Sequence, residues 1–156
     1  MIESAFAADS LSVTRKWLGF AALCAGMFMA VLDIQIVITS LGVIEKALKI
    51  GADRMSWVQT SYLIAEIVTI PLTGVLMRMF SMRNLLAIAV VIFTLASIGC
   101  AMSTGFTSLV GFRVLQGMAA GVLMPLVFAA VFLLFKPGTE QGVATVLAAI
   151  VAVIAP

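Results

Sequence analysis

Residues 107–135 read TSLVGFRVLQGMAAGVLMPLVFAAVFLLF, and Arg113 is the only charged side chain among them. An α-helix needs about 20 predominantly apolar residues to cross the hydrocarbon core of a bilayer. This run exceeds that length, and a chain of 156 residues is too small to bury such a helix on every side in water. We therefore predict that residues 107–135 form a transmembrane helix.

The rest of the chain repeats this pattern of long apolar runs separated by short polar linkers. Three further runs are long enough to cross a bilayer, and they lie at residues 17–41, 57–79 and 84–103. Residues 1–16 carry acidic side chains and are expected to be an N-terminal tail rather than a cleaved signal. The sequence thus predicts an all-α fold, an integral membrane helical bundle.

A fifth apolar run begins near residue 141 and is still apolar at Pro156. As a helix it would measure about 24 Å, less than the roughly 30 Å of the hydrocarbon core. No basic or aromatic residue follows it to mark a membrane surface. We therefore expect residues 141–156 to be an incomplete fifth span at the end of an N-terminal fragment.

The composition excludes several classes of function. Hydrophobic residues make up 63% of the chain and charged residues 10%, against roughly 45–50% and 25% in a soluble domain. Nine basic and seven acidic residues nearly balance, which indicates no nucleic-acid partner. The chain has no histidine, and Cys24 and Cys100 both lie within apolar runs. We therefore expect no metal, no cofactor and no enzymatic activity.

The basic residues near the ends of the spans indicate the orientation in the membrane. With a cytoplasmic N-terminus, five of them face the cytoplasm and three face the outside, which the positive-inside rule favours. The cytoplasmic residues would be Arg15, Lys16, Arg78, Arg83 and Lys136, and the outer residues Lys46, Lys49 and Arg54.

Three ionisable side chains, Asp33, Glu66 and Arg113, lie inside the predicted spans. Each costs about 2.5–3.5 kcal/mol to insert at a span centre, so such residues usually serve a function. From the rise per residue, Asp33 and Glu66 lie roughly 13 Å and Arg113 roughly 9 Å below the same membrane surface. The three side chains are therefore expected in one layer of the bundle.

Three spans also carry polar or small residues at helical spacing. The first span has Gly19, Gly26, Asp33 and Ser40, the second Gln59, Tyr62, Glu66, Thr69 and Thr73, and the fourth Arg113, Gln116, Gly117, Ala120 and Gly121. Two explanations stay open. The stripes line a water-accessible path, or they are packing seams in which Asp33 and Arg113 form a static ion pair.

Glu66 differs from Asp33 because no second cation is expected at its depth. Burial favours the protonated form of an unpaired carboxyl, so such a group can take up and release a proton near neutral pH. A proton-coupled transporter requires a group of this kind. We therefore predict proton coupling at Glu66, and proton coupling or substrate binding at Asp33 and Arg113 if the stripes line a water-accessible path.

Three segments resemble the major facilitator superfamily and, within it, the fourteen-span drug:proton antiporters of the EmrB/QacA type. Residues 32–37, LDIQIV, resemble the first-span motif of that group, and residues 56–74 resemble its second span through SWV, Tyr62 and IPLTG. Residues 109–121 contain RVLQG and resemble the fourth-span motif that is associated with proton transfer. The resemblance covers nearly the whole chain from the first span onward.

The chain departs from the superfamily pattern at two places. Gln35 and Ile38 stand where the first-span motif usually has Thr and Asn. In the loop after the second span, Gly74 fits the pattern G-x-L-a-D-r-x-G-r-k, Arg78 replaces its Asp, and Arg83 remains basic. The resemblance implies that this loop sets the equilibrium between inward-facing and outward-facing states.

The resemblance further implies a proton-coupled exporter of hydrophobic or amphipathic compounds in a bacterial inner membrane, with a periplasmic adaptor protein as a partner. The residues expected to line its path are Gln35, Gln59, Tyr62, Thr69, Thr73, Gln116 and Gly117. Two alternatives remain: a facilitator-type importer of a small metabolite, and a truncated membrane fragment without transport activity. The fifth-span motif that distinguishes antiporters would lie beyond Pro156.

Overall fold

The computed structural model describes residues 13–48 and 51–154, and in that part of the chain it consists of α-helices joined by short turns. The helices are α1 (Val13–Leu48), α2 (Ala52–Met79), α3 (Met82–Ala101), α4 (Phe106–Leu134) and α5 (Thr139–Ile154). Helices α1 to α4 are each long and apolar enough to cross a membrane. The predicted all-α membrane bundle is therefore confirmed.

The helices α1 and α2 extend further than the predicted spans. Helix α1 begins at Val13 rather than at residue 17 and continues to Leu48, and α2 begins at Ala52 rather than at residue 57. The prediction used apolar length alone, whereas good helix formers such as Glu, Lys and Ala continue a helix into the aqueous layer. Residues 1–12 of the predicted tail, Lys49 and residues 155–156 lie outside the described residues.

The turns between the helices are short, so consecutive helices run in opposite directions. Ser81 caps α3, where its Oγ accepts a hydrogen bond of 3.4 Å from the backbone N–H of Asn84. Between α4 and α5, Gly138 has a φ of 144°, which a residue with a Cβ rarely adopts. Pro137 precedes it and lacks the N–H that would continue a helix.

Helix α4 lies at the centre of the bundle and shares its largest interface with α2. The backbone of Gly117 lies against Tyr62, and the backbone of Gly121 lies against Glu66. Both residue numbers rise by four from one contact to the next, so α2 and α4 run parallel. The two glycines let the helix backbones approach closely, as in other membrane helix pairs with small residues four apart.

Helix α1 crosses α4 in the opposite direction. Near the start of α1, the ring centroid of Trp17 lies 4.8 Å from that of Phe135 at the end of α4. Phe20 completes this aromatic cluster, with its ring centroid 5.4 Å from that of Phe135. Further along α1, Asp33 meets Arg113 near the start of α4. The residue numbers change in opposite directions along this interface, so α1 and α4 are antiparallel.

The outer surface of the bundle is apolar. Ile67 is 65% exposed, Leu95 62% and Phe132 68%. A soluble protein rarely leaves so many large apolar side chains in water, whereas in a bilayer these side chains face lipid or neighbouring helices.

Candidate functional site

The site is centred on Arg113 and Gln116, which lie one turn apart on the same face of α4. Arg113 is 4% exposed and Gln116 is fully buried. The Nη1 atom of Arg113 donates to Oδ2 of Asp33 at 2.5 Å and to Oε1 of Gln116 at 2.9 Å. The structure therefore brings together two of the three ionisable residues that the sequence singled out, Asp33 and Arg113.

Gln116 holds this ion pair in place from the side. Its Nε2 atom donates to Oδ1 of Asp33 at 2.8 Å, so each carboxylate oxygen of Asp33 accepts one hydrogen bond from α4. The side chain of Asp33 is 18% exposed, more than that of Arg113. Charge-assisted bonds of this kind are stronger than bonds between neutral groups.

Two residues of α3 complete the network, and the sequence analysis did not single them out. Gln116 Nε2 donates to Oγ of Ser97 at 2.6 Å, and the thiol of Cys100 donates to Gln116 Oε1 at 3.8 Å. Ser97, Cys100 and Ser103 are small polar residues at steps of three, and this spacing is the sequence pattern that could have indicated them. Such a row is common at the end of a helix, so by itself it does not identify a site.

Tyr62 connects α2 to the same network. The guanidinium carbon of Arg113 lies 5.6 Å from the centroid of the Tyr62 ring, within the range of a cation–π interaction. The Tyr62 hydroxyl donates to the backbone oxygen of Ala30 at 3.5 Å. The Nε atom of Arg113 is buried and has no hydrogen-bond partner among residues 13–48 and 51–154.

Glu66 lies one turn beyond Tyr62 on α2 and is 8% exposed. Within the described part of the chain, no donor or cation is bonded to its carboxyl. The structure thus places Glu66 beside the α2–α4 interface and not in the ion pair of Asp33 and Arg113. The two acids have different surroundings, because one is bonded by α4 and the other is not.

The polar stripe of α2 faces α4 along most of its length. Thr69 donates to the backbone oxygen of Ala65 at 2.7 Å, and Thr73 donates to Thr69 O at 3.0 Å and to Gly121 O at 3.2 Å. These bonds satisfy both hydroxyls inside the helix pair. The assignment of Tyr62, Thr69, Thr73 and Gly117 to a substrate path stays a prediction.

A cavity of about 480 Å³ opens beside the ion pair, between α1, α3 and α4. Asp33, Arg113, Gln116, Ser97 and Ser40 provide its polar wall. Cys100 and Ser103 add two small polar groups, and apolar side chains from the three helices provide the remainder. The cavity therefore has the composition of a small-molecule site, in which a few polar groups lie among apolar ones.

The other predicted site residues lie away from this network. Gln35 is partly buried on α1, and Oε1 of Gln59 is buried without a hydrogen-bond partner in the described residues. Gly74, Arg78 and Arg83 are exposed where α2 ends and α3 begins. No side chain or neighbouring backbone lies within 4 Å of the position that a Cβ would take on Gly74.

This arrangement can couple the charge of Asp33 to the strength of the contact between α1 and α4. A proton or a cation bound at Asp33 would weaken its bond to Arg113, because the carboxylate would no longer supply a full negative charge. Gln116 Oε1 and the Tyr62 ring already contact the guanidinium and would hold it after that change. Reversible binding at Asp33 would thus loosen the contact between α1 and Arg113 while α2 and α4 keep the guanidinium in place.

Comparisons with known proteins identify what the chain is similar to. The family model of the Major Facilitator Superfamily matches residues 23–156. The chain is 37% identical over 140 residues to the colistin resistance protein EmrB of Acinetobacter baumannii, covering 90% of this chain and 27% of that protein. It is 33% identical over 135 residues to the multidrug export protein EmrB of Escherichia coli, covering 86% and 26%.

A third relative is the fatty acid resistance protein FarB of Neisseria gonorrhoeae, 35% identical over 130 residues, which cover 83% of this chain and 25% of that protein. The chain spans about a quarter of the length of these curated relatives.

Proposed function

We propose, from the premise that this chain belongs to the Major Facilitator Superfamily, that it is part of a proton-coupled exporter of hydrophobic or amphipathic compounds. The resemblance drawn from the sequence motifs is confirmed at the level of the superfamily and of its EmrB-type relatives. Members of this superfamily are transporters rather than enzymes. Proton coupling, the direction of transport and the substrate class are parts of the proposal.

The observation that supports the proposal most is the ion pair of Asp33 and Arg113 on the wall of an open cavity. An ion pair that only stabilises the fold has no need of an open space beside it. The pair of Asp33 and Arg113 faces a space of about 480 Å³, so a proton or a cationic compound could reach the carboxylate. Arg113 would then respond to the occupancy of Asp33.

Glu66 would provide a second site for a proton. Its carboxyl has no bonded partner among the described residues, and it lies one turn from Tyr62, which contacts Arg113. Relatives whose names describe resistance and multidrug export favour an exporter over an importer.

The proposed orientation places the N-terminus in the cytoplasm of a bacterial cell. The starts of α1 and α3 and the end of α4 would then lie on the cytoplasmic side, where the positive-inside rule favours Arg15, Lys16 and Arg83. The loop with Gly74, Arg78 and Arg83 would lie on this side and bias the two access states. A periplasmic adaptor protein would bind on the opposite side.

A substitution of Glu66 tests the coupling. We expect Glu66→Gln, in the intact protein that contains this chain, to lose substrate accumulation driven by a pH gradient. Substrate exchange without a gradient should persist, because the amide keeps the size of the side chain and the substrate contacts. Both rates are measured in proteoliposomes with a fluorescent substrate and a pH dye.

Glu140→Gln is the matched control, because Glu140 is an exposed acid in the first turn of α5. It should leave gradient-driven transport unchanged. If Glu66→Gln transports and couples like the unmodified protein, Glu66 has no part in the mechanism.

Cysteine labelling tests whether water reaches the cavity. Cys100 lines the cavity, whereas Cys24 packs against the apolar core. We expect a charged, water-soluble methanethiosulfonate reagent to modify the Cys24→Ser variant at Cys100. The Cys100→Ser variant, which retains Cys24, should react much more slowly. Equal rates for the two variants would contradict an aqueous cavity beside Asp33.

A further inference from the structure

A second cavity, of about 170 Å³, lies at the membrane surface where α1 and α3 begin and α4 ends. Arg15 from the first turn of α1 and Arg83 from the first turn of α3 line it. Its apolar wall includes Leu23, Leu86 and Leu134, one leucine from each of the three helices. A pair of guanidinium groups thus lies beside a leucine-lined groove.

Among the described residues, the two charged side chains that line this cavity are both basic, and neither α1 nor α3 has an acidic residue in its first described turn. The free N–H groups at a helix N-terminus also carry a partial positive charge. The start of α3 at Met82 therefore favours an anion beside Arg83.

The apolar wall distinguishes a lipid from a soluble anion. Leu23 lies eight residues after Arg15 on α1, so the groove extends roughly 12 Å from the surface towards the middle of the bilayer. A soluble phosphate would contact only the two arginines. A phospholipid could place its phosphate between the arginines and an acyl chain along the leucines.

We propose that this cavity binds an anionic phospholipid, with Arg15 and Arg83 holding the phosphate group of its head. Guanidinium groups bind phosphate oxygens through paired N–H bonds. A zwitterionic lipid should bind more weakly, because the ammonium group of its head repels the two arginines. Basic pockets between membrane helices are known to bind anionic lipid heads. The proposal concerns Arg15 and Arg83 as a lipid site and does not depend on proton coupling.

Lipid titration of the intact, purified protein tests the site. The protein is titrated with phosphatidylglycerol in mild detergent, and bound lipid is counted by native mass spectrometry. We expect Arg15→Gln and Arg83→Gln each to weaken the tightest phosphatidylglycerol site about fivefold. This factor corresponds to the roughly 1 kcal/mol that one basic residue contributes to binding an anionic lipid surface. The double variant should weaken it by roughly 25-fold if the two effects add.

Two arginines outside the cavity provide matched controls for loss of one positive charge. Arg78 is exposed on the same membrane surface, and Arg54 is exposed at the opposite end of α2. Arg78→Gln and Arg54→Gln should both retain phosphatidylglycerol like the unmodified protein. If Arg78→Gln weakens binding as much as Arg83→Gln, the effect is general surface charge and the proposal is wrong.

Further arms separate the lipid from other anions and from misfolding. Phosphatidylcholine should not compete for the site, and glycerol 3-phosphate, which has no acyl chain, should compete far more weakly than phosphatidylglycerol. Equal competition by glycerol 3-phosphate would indicate a soluble-anion site and overturn the proposal. The double variant with Arg15→Lys and Arg83→Lys keeps both charges but loses the paired N–H bonds, so its affinity for phosphatidylglycerol should lie between that of the unmodified protein and that of the double glutamine variant. An affinity as low as that of the double glutamine variant would also overturn the proposal.

Discussion

Replacing Arg113 by Gln should destabilise the bundle by about 3 kcal/mol and abolish gradient-driven transport. Removal of one partner of a buried ion pair leaves the other charge without compensation, which costs about 3–5 kcal/mol. The lower end applies here because Asp33 is 18% exposed at the cavity. The free energy of unfolding is measured in mixed detergent micelles by circular dichroism, and transport in proteoliposomes with the intact protein.

The double variant with Asp33→Asn and Arg113→Gln separates the structural part of this effect from the functional part. With both charges removed, no buried charge remains unpaired, so we expect at least half of the lost stability to return. Gradient-driven transport should stay absent, because the proposed proton or cation site at Asp33 is gone.

Two results would contradict this account. One is a double variant that is no more stable than Arg113→Gln, which would mean that the two side chains do not interact energetically. The other is a double variant that regains gradient-driven transport, which would mean that the pair is only a structural contact.

Arg113→Lys adds a finer test. Nη1 alone makes both side-chain bonds of Arg113, so an ammonium group could replace much of the lost stability.

Replacing Gly117 by Ala should separate α2 from α4. A Cβ at this position would collide with the backbone carbonyl of Tyr62, which cannot rotate away as the end of a flexible side chain can. Overpacking of a tight contact costs about 1–3 kcal/mol, and we expect the upper end because the obstacle is backbone. The shift would also move Tyr62 from Arg113. Unfolding in mixed micelles measures the stability loss.

Gly111→Ala is the matched control on the same helix. Gly111 is exposed on α4, and no atom lies within 4 Å of the position that its Cβ would take. Alanine is a better helix former than glycine, so this variant should be unchanged or more stable by about 0.5–1 kcal/mol. If Gly117→Ala is as stable as Gly111→Ala, the close approach of α2 and α4 is not part of the folded protein.

The membrane-spanning helices could be predicted from the sequence because the property that defines them is local. A run such as residues 84–103 is apolar whatever its neighbours are, and its length alone matches the thickness of a bilayer. The positions where α1 ends and α2 begins were less predictable. A helix continues into water as long as its residues favour helix, and hydropathy does not report that.

The three ionisable residues could also be recognised from the sequence, since a charge within an apolar span is costly wherever the span packs. Helical periodicity assigned Gln116 and Gly117 to a polar and small face of α4. It could not separate their roles. In the folded bundle Gln116 faces Asp33 and Ser97, whereas Gly117 contacts the backbone of Tyr62.

The amino-acid sequence alone determines a set of membrane helices with two acidic side chains and one guanidinium group within their apolar spans. Only the packing of α1, α3 and α4 determined that Asp33 is bonded to Arg113 and Gln116 while Glu66 is not. Periodicity defines which residues share a face of one helix. Which residues of another helix contact that face depends on the rotation and crossing of the helices. Rotation and crossing are set by the packing of the whole bundle, which a single helix does not encode.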